Sequence, residues 1–112
     1  MNWHYLTDIT QLDKIDEESK NGKILILKHS TRCSISNIAL NRLERDWKEE
    51  HSEKLKPYYL DLLNYREISN AVAARYGVIH ESPQILLISN GKYIFCQTHS
   101  DIRLAEILNA AE

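Results

Sequence analysis

The 112 residues of the chain, 43% hydrophobic and 27% charged, fit one compact soluble domain over 1–112 and leave no length for a second. A formal net charge of −2 with both signs interspersed gives no basic stripe able to neutralise phosphates, so nucleic acid is not the expected partner. No apolar run reaches membrane-spanning length, and Met1-Asn2-Trp3-His4-Tyr5-Leu6 has neither a basic start nor a long apolar stretch, so the expectation is a mature cytoplasmic protein without membrane contact.

Thr7 to Asn21 reads as the first helix: Ile9, Leu12 and Ile15 recur at helical spacing, Asp8 and Gln11 make a capping pair, and Gly22 stops it. Lys23 to His29 contains the unbroken apolar run Ile24-Leu25-Ile26-Leu27, the pattern of a central strand buried on both faces. From about Arg32 to His51 the positions Ile35, Ile38, Ala39, Leu43 and Trp47 predict a long helix. Its outer face carries Asn41, Arg42, Glu44, Arg45, Lys48 and Glu49. The charged run Lys48 to Lys56 is expected to be helix end and loop.

Pro57 to Leu63 is a second strand candidate, with Pro57 tolerated at the strand's start. Asn64 and Glu67 then form a capping box, Ile68, Val72 and Tyr76 follow at helical spacing, and Gly77 takes the C′ position, predicting a helix over about Tyr65 to Tyr76. After Ser82-Pro83 come the apolar run Ile85 to Ile88, the turn Asn90-Gly91 and a further strand from Lys92 to Gln97, a strong hairpin signal. Ser100 or Asp101 caps a last helix whose buried stripe is Leu104, Ile107, Leu108 and Ala111. Trp3 and Trp47 have apolar neighbours and are expected to be packing residues.

The leading strand, helix and strand predict parallel pairing, and the terminal strand, strand and helix add an antiparallel hairpin. This is a thioredoxin-like order: an α/β fold with a central mixed four-stranded sheet flanked by helices. Open α/β sheets place ligands at the carboxyl ends of strands, where Cys33 falls, at the junction of the buried strand and the following helix. The helix start aims N–H groups and a positive dipole end at such a sulfur, and Lys28 and Arg32 add charge, all favouring thiolate over thiol. Ser36 replaces a second cysteine, so no disulfide closes within the motif, and its hydroxyl hydrogen can be donated to the sulfur. Cys96 is read as a buried structural thiol, with a resolving role the alternative. Two cysteines make no disulfide framework, and His29, Cys33, His80, Cys96 and His99 lack metal-ligand spacing, so no metal is expected.

The stretch Lys28-His29-Ser30-Thr31-Arg32-Cys33-Ser34-Ile35-Ser36, with Trp3 upstream and Glu81-Ser82-Pro83-Gln84 and His99-Ser100 downstream, resembles the monothiol bacilliredoxins, also called YtxJ-type bacillithiol-system redox proteins. The resemblance covers nearly the whole chain, although Ser34 stands where proline is usual. It implies removal of bacillithiol from protein mixed disulfides, with Cys33 as attacking thiol, bacillithiol as co-substrate, bacillithiolated proteins as partners and no bound cofactor. It also implies a cis peptide at Ser82-Pro83 facing the cysteine, leaving the backbone of Ser82 free to pair with substrate; X-Pro statistics alone favour trans.

Bacillithiol joins cysteine and glucosamine to a malate group, so its site needs donors for two carboxylates. Lys28, Arg32 and the His99-Ser100-Asp101 loop, taken as the opening of the last helix, are the candidates. A monomer is expected. Two other readings share the fold: a redox-inactive adaptor that binds a protein through the same groove, and a monothiol glutaredoxin-like iron–sulfur carrier.

Overall fold

The computed structural model of the chain describes residues 1–112 throughout. The apolar runs at 24–27 and 85–88 do become adjacent central strands. In order, the chain forms β1 (His4–Tyr5), α1 (Gln11–Glu18), β2 (Lys23–His29), α2 (Ser34–Asp46), a 3₁₀ turn (Glu49–Glu53), β3 (Leu55–Asp61) and α3 (Arg66–Tyr76). There follow β4 (Gln84–Ser89), β5 (Lys92–Thr98), a second 3₁₀ turn (His99–Asp101) and α4 (Leu104–Ala110). The sheet order is β1-β3-β2-β4-β5; β1, β3 and β2 run parallel, and β4 and β5 run antiparallel to their neighbours.

The expected four-stranded sheet therefore has five strands. The extra one is β1, two residues pairing His4 with Tyr58 and Tyr5 with Tyr59, too short to show any periodicity. Pro57 lies inside β3 rather than at its start. Tyr59 presents its carbonyl to Leu6 of the β1 segment at 2.9 Å, so by the period of two Pro57 also faces that edge, where β1 has not begun and no N–H is needed.

Alternation along the strands divides the interior into two cores. Ile24, Ile26, Tyr58, Leu60, Leu86 and Ile88 face Leu12 and Ile15 of α1 and Ile68, Val72 and Tyr76 of α3. Leu25, Leu27, Ile85 and Leu87 face Ala39 and Leu43 of α2 and Leu104 and Ile107 of α4. Consecutive residues of β2 thus serve opposite layers, which decides the roles of Lys28 and His29 below.

Several boundaries move for local reasons. The first helix starts only at Gln11, because Asp8 Oδ1 accepts from the N–H and hydroxyl of Thr10 while Gln11 Oε1 accepts from the N–H groups of Thr7 and Asp8. Trp47, at φ −68° and ψ 131°, leaves helical geometry and ends α2 well before His51. The Asn64–Glu67 capping box does not form; Asp61 instead accepts from the Leu63 N–H and the Asn64 side chain. Gly77 is left-handed at φ 66°, ending α3 as expected. Asn90 and Gly91, at φ 52° and 74°, make the tight hairpin turn, which is tied to the end of α1 by Gly91 N–H to Ser19 Oγ at 2.8 Å.

Candidate functional site

Cys33 is the N-cap of α2, extended at φ −109° and ψ 120°, and half-exposed. Its carbonyl accepts the Asn37 N–H at 3.0 Å, and its own N–H donates to Ser30 at 3.2 Å, which fixes the turn between β2 and α2. No side chain caps the helix, so the first-turn N–H groups are left for a group at the sulfur's end, a setting that suits negative charge developing on sulfur.

The stripe along α2 is rotated from the one expected. Ser36, Ala39 and Leu43 are buried, whereas Ile35 and Ile38 stay 47% and 57% exposed. Burial of a serine requires partners, and Ser36 has two: its Oγ accepts the Ser30 N–H at 3.0 Å and lies 2.7 Å from His29 Nδ1. With hydrogen on Nδ1 the ring donates to Oγ, and in the other tautomer Oγ donates to His29; in neither case does a hydrogen bond join Ser36 to the Cys33 sulfur, so the expected donation to the thiolate gives way to a role in tying the β2–α2 turn. Burial lowers the His29 pKa, against the opposing pull of Asp61 and Glu44, so the ring is held neutral. Its other side packs against Tyr59, whose ring also meets Trp3 edge-on, and Trp3 Nε1–H donates to Glu44 at 3.0 Å. His29 is a site residue that sequence reasoning missed; its signal was only its place before the Ser-Thr-Arg-Cys turn.

The Ser82-Pro83 peptide is cis. Gln84 pairs with Lys28 at the carboxyl end of β2 and with Thr98 of β5, so Pro83, Cys33 and His99 all belong to the same end of the sheet. His99, left-handed at φ 54°, donates its N–H to the Pro83 carbonyl at 2.9 Å. The Ser82 hydroxyl is shielded from solvent and has no partner in the chain, a buried polar atom of the kind that folded proteins seldom leave unmatched. The loop His99-Ser100-Asp101 does not open the last helix, as the sequence suggested. It forms its own short turn, and α4 starts only after Arg103.

Lys28 requires a correction. It was expected to support Cys33, but the pleat turns it to the α3 side, fully buried, with Nζ donating to the Ser69 carbonyl at 3.1 Å and lying 3.2 Å from His80 Nδ1. Burial pushes its pKa down to about 8, with Cys96 opposing the shift. Cys96 pairs with Leu86 and faces the same side as Lys28; it is half-exposed rather than buried, and Gln84 Nε2–H donates to its sulfur at 3.4 Å. Arg32 is exposed and remains beside Cys33. No three His, Cys, Asp or Glu side chains gather in a metal-binding arrangement. An open cleft of about 740 Å³ between β5 and α4 is spanned by Gln97, which pairs with Glu106 and the Arg103 N–H, and holds no reactive constellation.

The parallel-then-antiparallel sheet, the N-cap cysteine and the cis-proline at one sheet end define a redox protein of the thioredoxin class. The chain is similar over 98% of its length, and over 94% of the other chain, to a thioredoxin-fold protein described as a candidate oxidoreductase, with 31% identity and a TM-score of 0.84. Thioredoxins of Malassezia sympodialis (16% identity, TM-score 0.74, 96% of this chain and 85% of that one) and Fasciola hepatica (18%, 0.74, 97% and 99%) share the fold. The chain belongs to the monothiol bacilliredoxin BrxC family, which matches residues 4–107. No helix is long and apolar enough to cross a membrane.

Proposed function

We propose that this protein removes bacillithiol from protein mixed disulfides, with Cys33 as the single attacking sulfur. The observation that carries the reading is Cys33 at the uncapped start of α2, with Ser36 rather than a second thiol one turn on and the cis-proline at the same sheet end. The Cys33 thiolate attacks the bacillithiol sulfur, the client sulfur leaves as thiolate and takes up a proton, and Cys33 now carries bacillithiol in a new disulfide. A second bacillithiol thiolate then attacks that disulfide, releasing bacillithiol disulfide and reduced Cys33. Ser82 and Pro83 present the groove that receives the client backbone. Ser36, held by His29 and the Ser30 N–H, fixes the turn that presents Cys33, and Arg32, His99 and Ser100 flank the bound thiol. We place this chemistry in the cytoplasm, where thiols are kept reduced.

Mass spectrometry of a bacillithiolated client mixed with reduced protein tests the reading. The client is expected to lose one bacillithiol mass while the Cys33 peptide gains it, and Cys33→Ala is expected to abolish both changes. Transfer that survives Cys33→Ala defeats the assignment. Equal rates with glutathione and bacillithiol carriers defeat the choice of thiol.

A further inference from the structure

The rotation of α2 leaves a groove of about 240 Å³ that the sequence did not foreshadow, walled by Ile35, Ile38, Ala39 and Arg42 on one side and by His99 and Ser100 on the other. Its floor is apolar, and Ile35 and Ile38 are roughly half exposed in it although nothing in the chain covers them. Arg42 is half-buried and takes part in none of the molecule's six ion pairs. His99 is already opposed by Glu81, 3.8 Å from its Nε2, which leaves Arg42 as the groove's uncommitted cation.

Arg42 follows Cys33 by nine residues, about 13 Å along the helix axis, and helical side chains lean back toward the N-terminus. A disulfide-bound thiol made of several joined units covers such a span, and a two-carbon thiol does not. The far wall is tied to the cis-proline through the His99 N–H, so the groove continues the sheet end that carries Cys33. With Lys28 turned to the opposite layer, Arg32 stands at the sulfur's end and Arg42 is the planar donor that the groove itself offers a carboxylate.

We propose that this groove holds the acidic arm of the small thiol being transferred, with Ile35 and Ile38 against its body and the Arg42 guanidinium on its carboxylate. This rests on the de-bacillithiolation reading and adds to it the group that selects an anionic thiol over a neutral one.

The test uses one client protein prepared as two mixed disulfides, one with bacillithiol and one with 2-mercaptoethanol, and steady-state transfer to the full chain. Arg42→Gln is expected to raise KM for the bacillithiol form about tenfold, the loss of one charge-assisted pair, with kcat little changed. The 2-mercaptoethanol form is expected to shift less than twofold, and Arg42→Lys to recover part of the loss. Ile38→Glu, a change at an exposed position, is expected to act in the same direction by placing a negative charge on the floor. An unchanged KM for the bacillithiol form in both variants overturns the subsite while leaving the Cys33 chemistry standing. An equal rise for both carriers overturns it too, assigning Arg42 to the client protein. Wild-type protein that takes 2-mercaptoethanol but never bacillithiol overturns the functional reading and the subsite together.

Discussion

Lys28 and His29 are neighbours in sequence and occupy different layers of the molecule. The unbroken run Ile24 to Leu27 contains no polar residue to mark which face is which, so the sequence could not tell that Lys28 turns away from Cys33 and His29 turns toward it. The Lys28 ammonium is disfavoured by burial, its pKa falling from the ordinary 10.5 to about 8. Because the folded value is the lower one, the unfolded chain binds more protons between these limits. Stability is therefore fully present above about 10.5 and is lost as pH falls toward 8. Tyr58 and Tyr76, whose hydroxyls burial pushes upward, act in the opposite sense: their stabilisation holds below the ordinary tyrosine value of 10 and is lost above it. Denaturant unfolding of the native chain is thus expected to show stability rising from pH 8 to 9.5. Lys28→Met should flatten that rise, and an identical slope in the variant would show that another group is responsible.

At the scale of elements, the chain was most legible where a local pattern had one structural solution. Asn90-Gly91 between two apolar runs and Gly77 after a helical stripe both formed as read, because positive φ at those points is a property of the residues themselves. Gly77 has open space where a Cβ would stand, so Gly77→Ala tests the backbone alone. It is expected to cost about 1 kcal/mol, or roughly 4 °C in Tm, with Gly77→Asn costing less, as thermal unfolding would show. Legibility failed where periodicity was ambiguous. The α2 stripe read from Ile35 to Trp47 is apolar at the right spacing, yet the fold buries Ser36 instead of Ile35, since His29 and the Ser30 N–H satisfy its hydroxyl. That partnership joins two elements and leaves no trace in either one's own periodicity. β1 was missed because two residues gain strand character only from the edge of β3 that receives them.

For the whole molecule, the sheet separates the two sulfurs. Cys33 caps α2 at the sheet's carboxyl end, while Cys96 lies in β5 facing the α3 side under the Gln84 amide. Limiting iodoacetamide at neutral pH should label Cys33 roughly ten times faster than Cys96 or more, read by peptide mass spectrometry. Equal rates would mean that the helix start confers no advantage. The strand order carries a consequence for how the protein is made. The centre of the sheet pairs β2 with β4, but 55 residues separate His29 from Gln84, a wait of roughly 3 to 11 s at about 5–20 residues per second of synthesis. During that interval the nascent Ile24-Leu25-Ile26-Leu27 edge has no partner on its β4 side, the kind of segment on which half-made chains aggregate. Lys23 and Lys28 bracket it, charges in the positions that disfavour pairing of such a segment with other chains while it is still solvated. The lysine that the finished protein holds against its preference for water thus guards the central strand until β4 arrives.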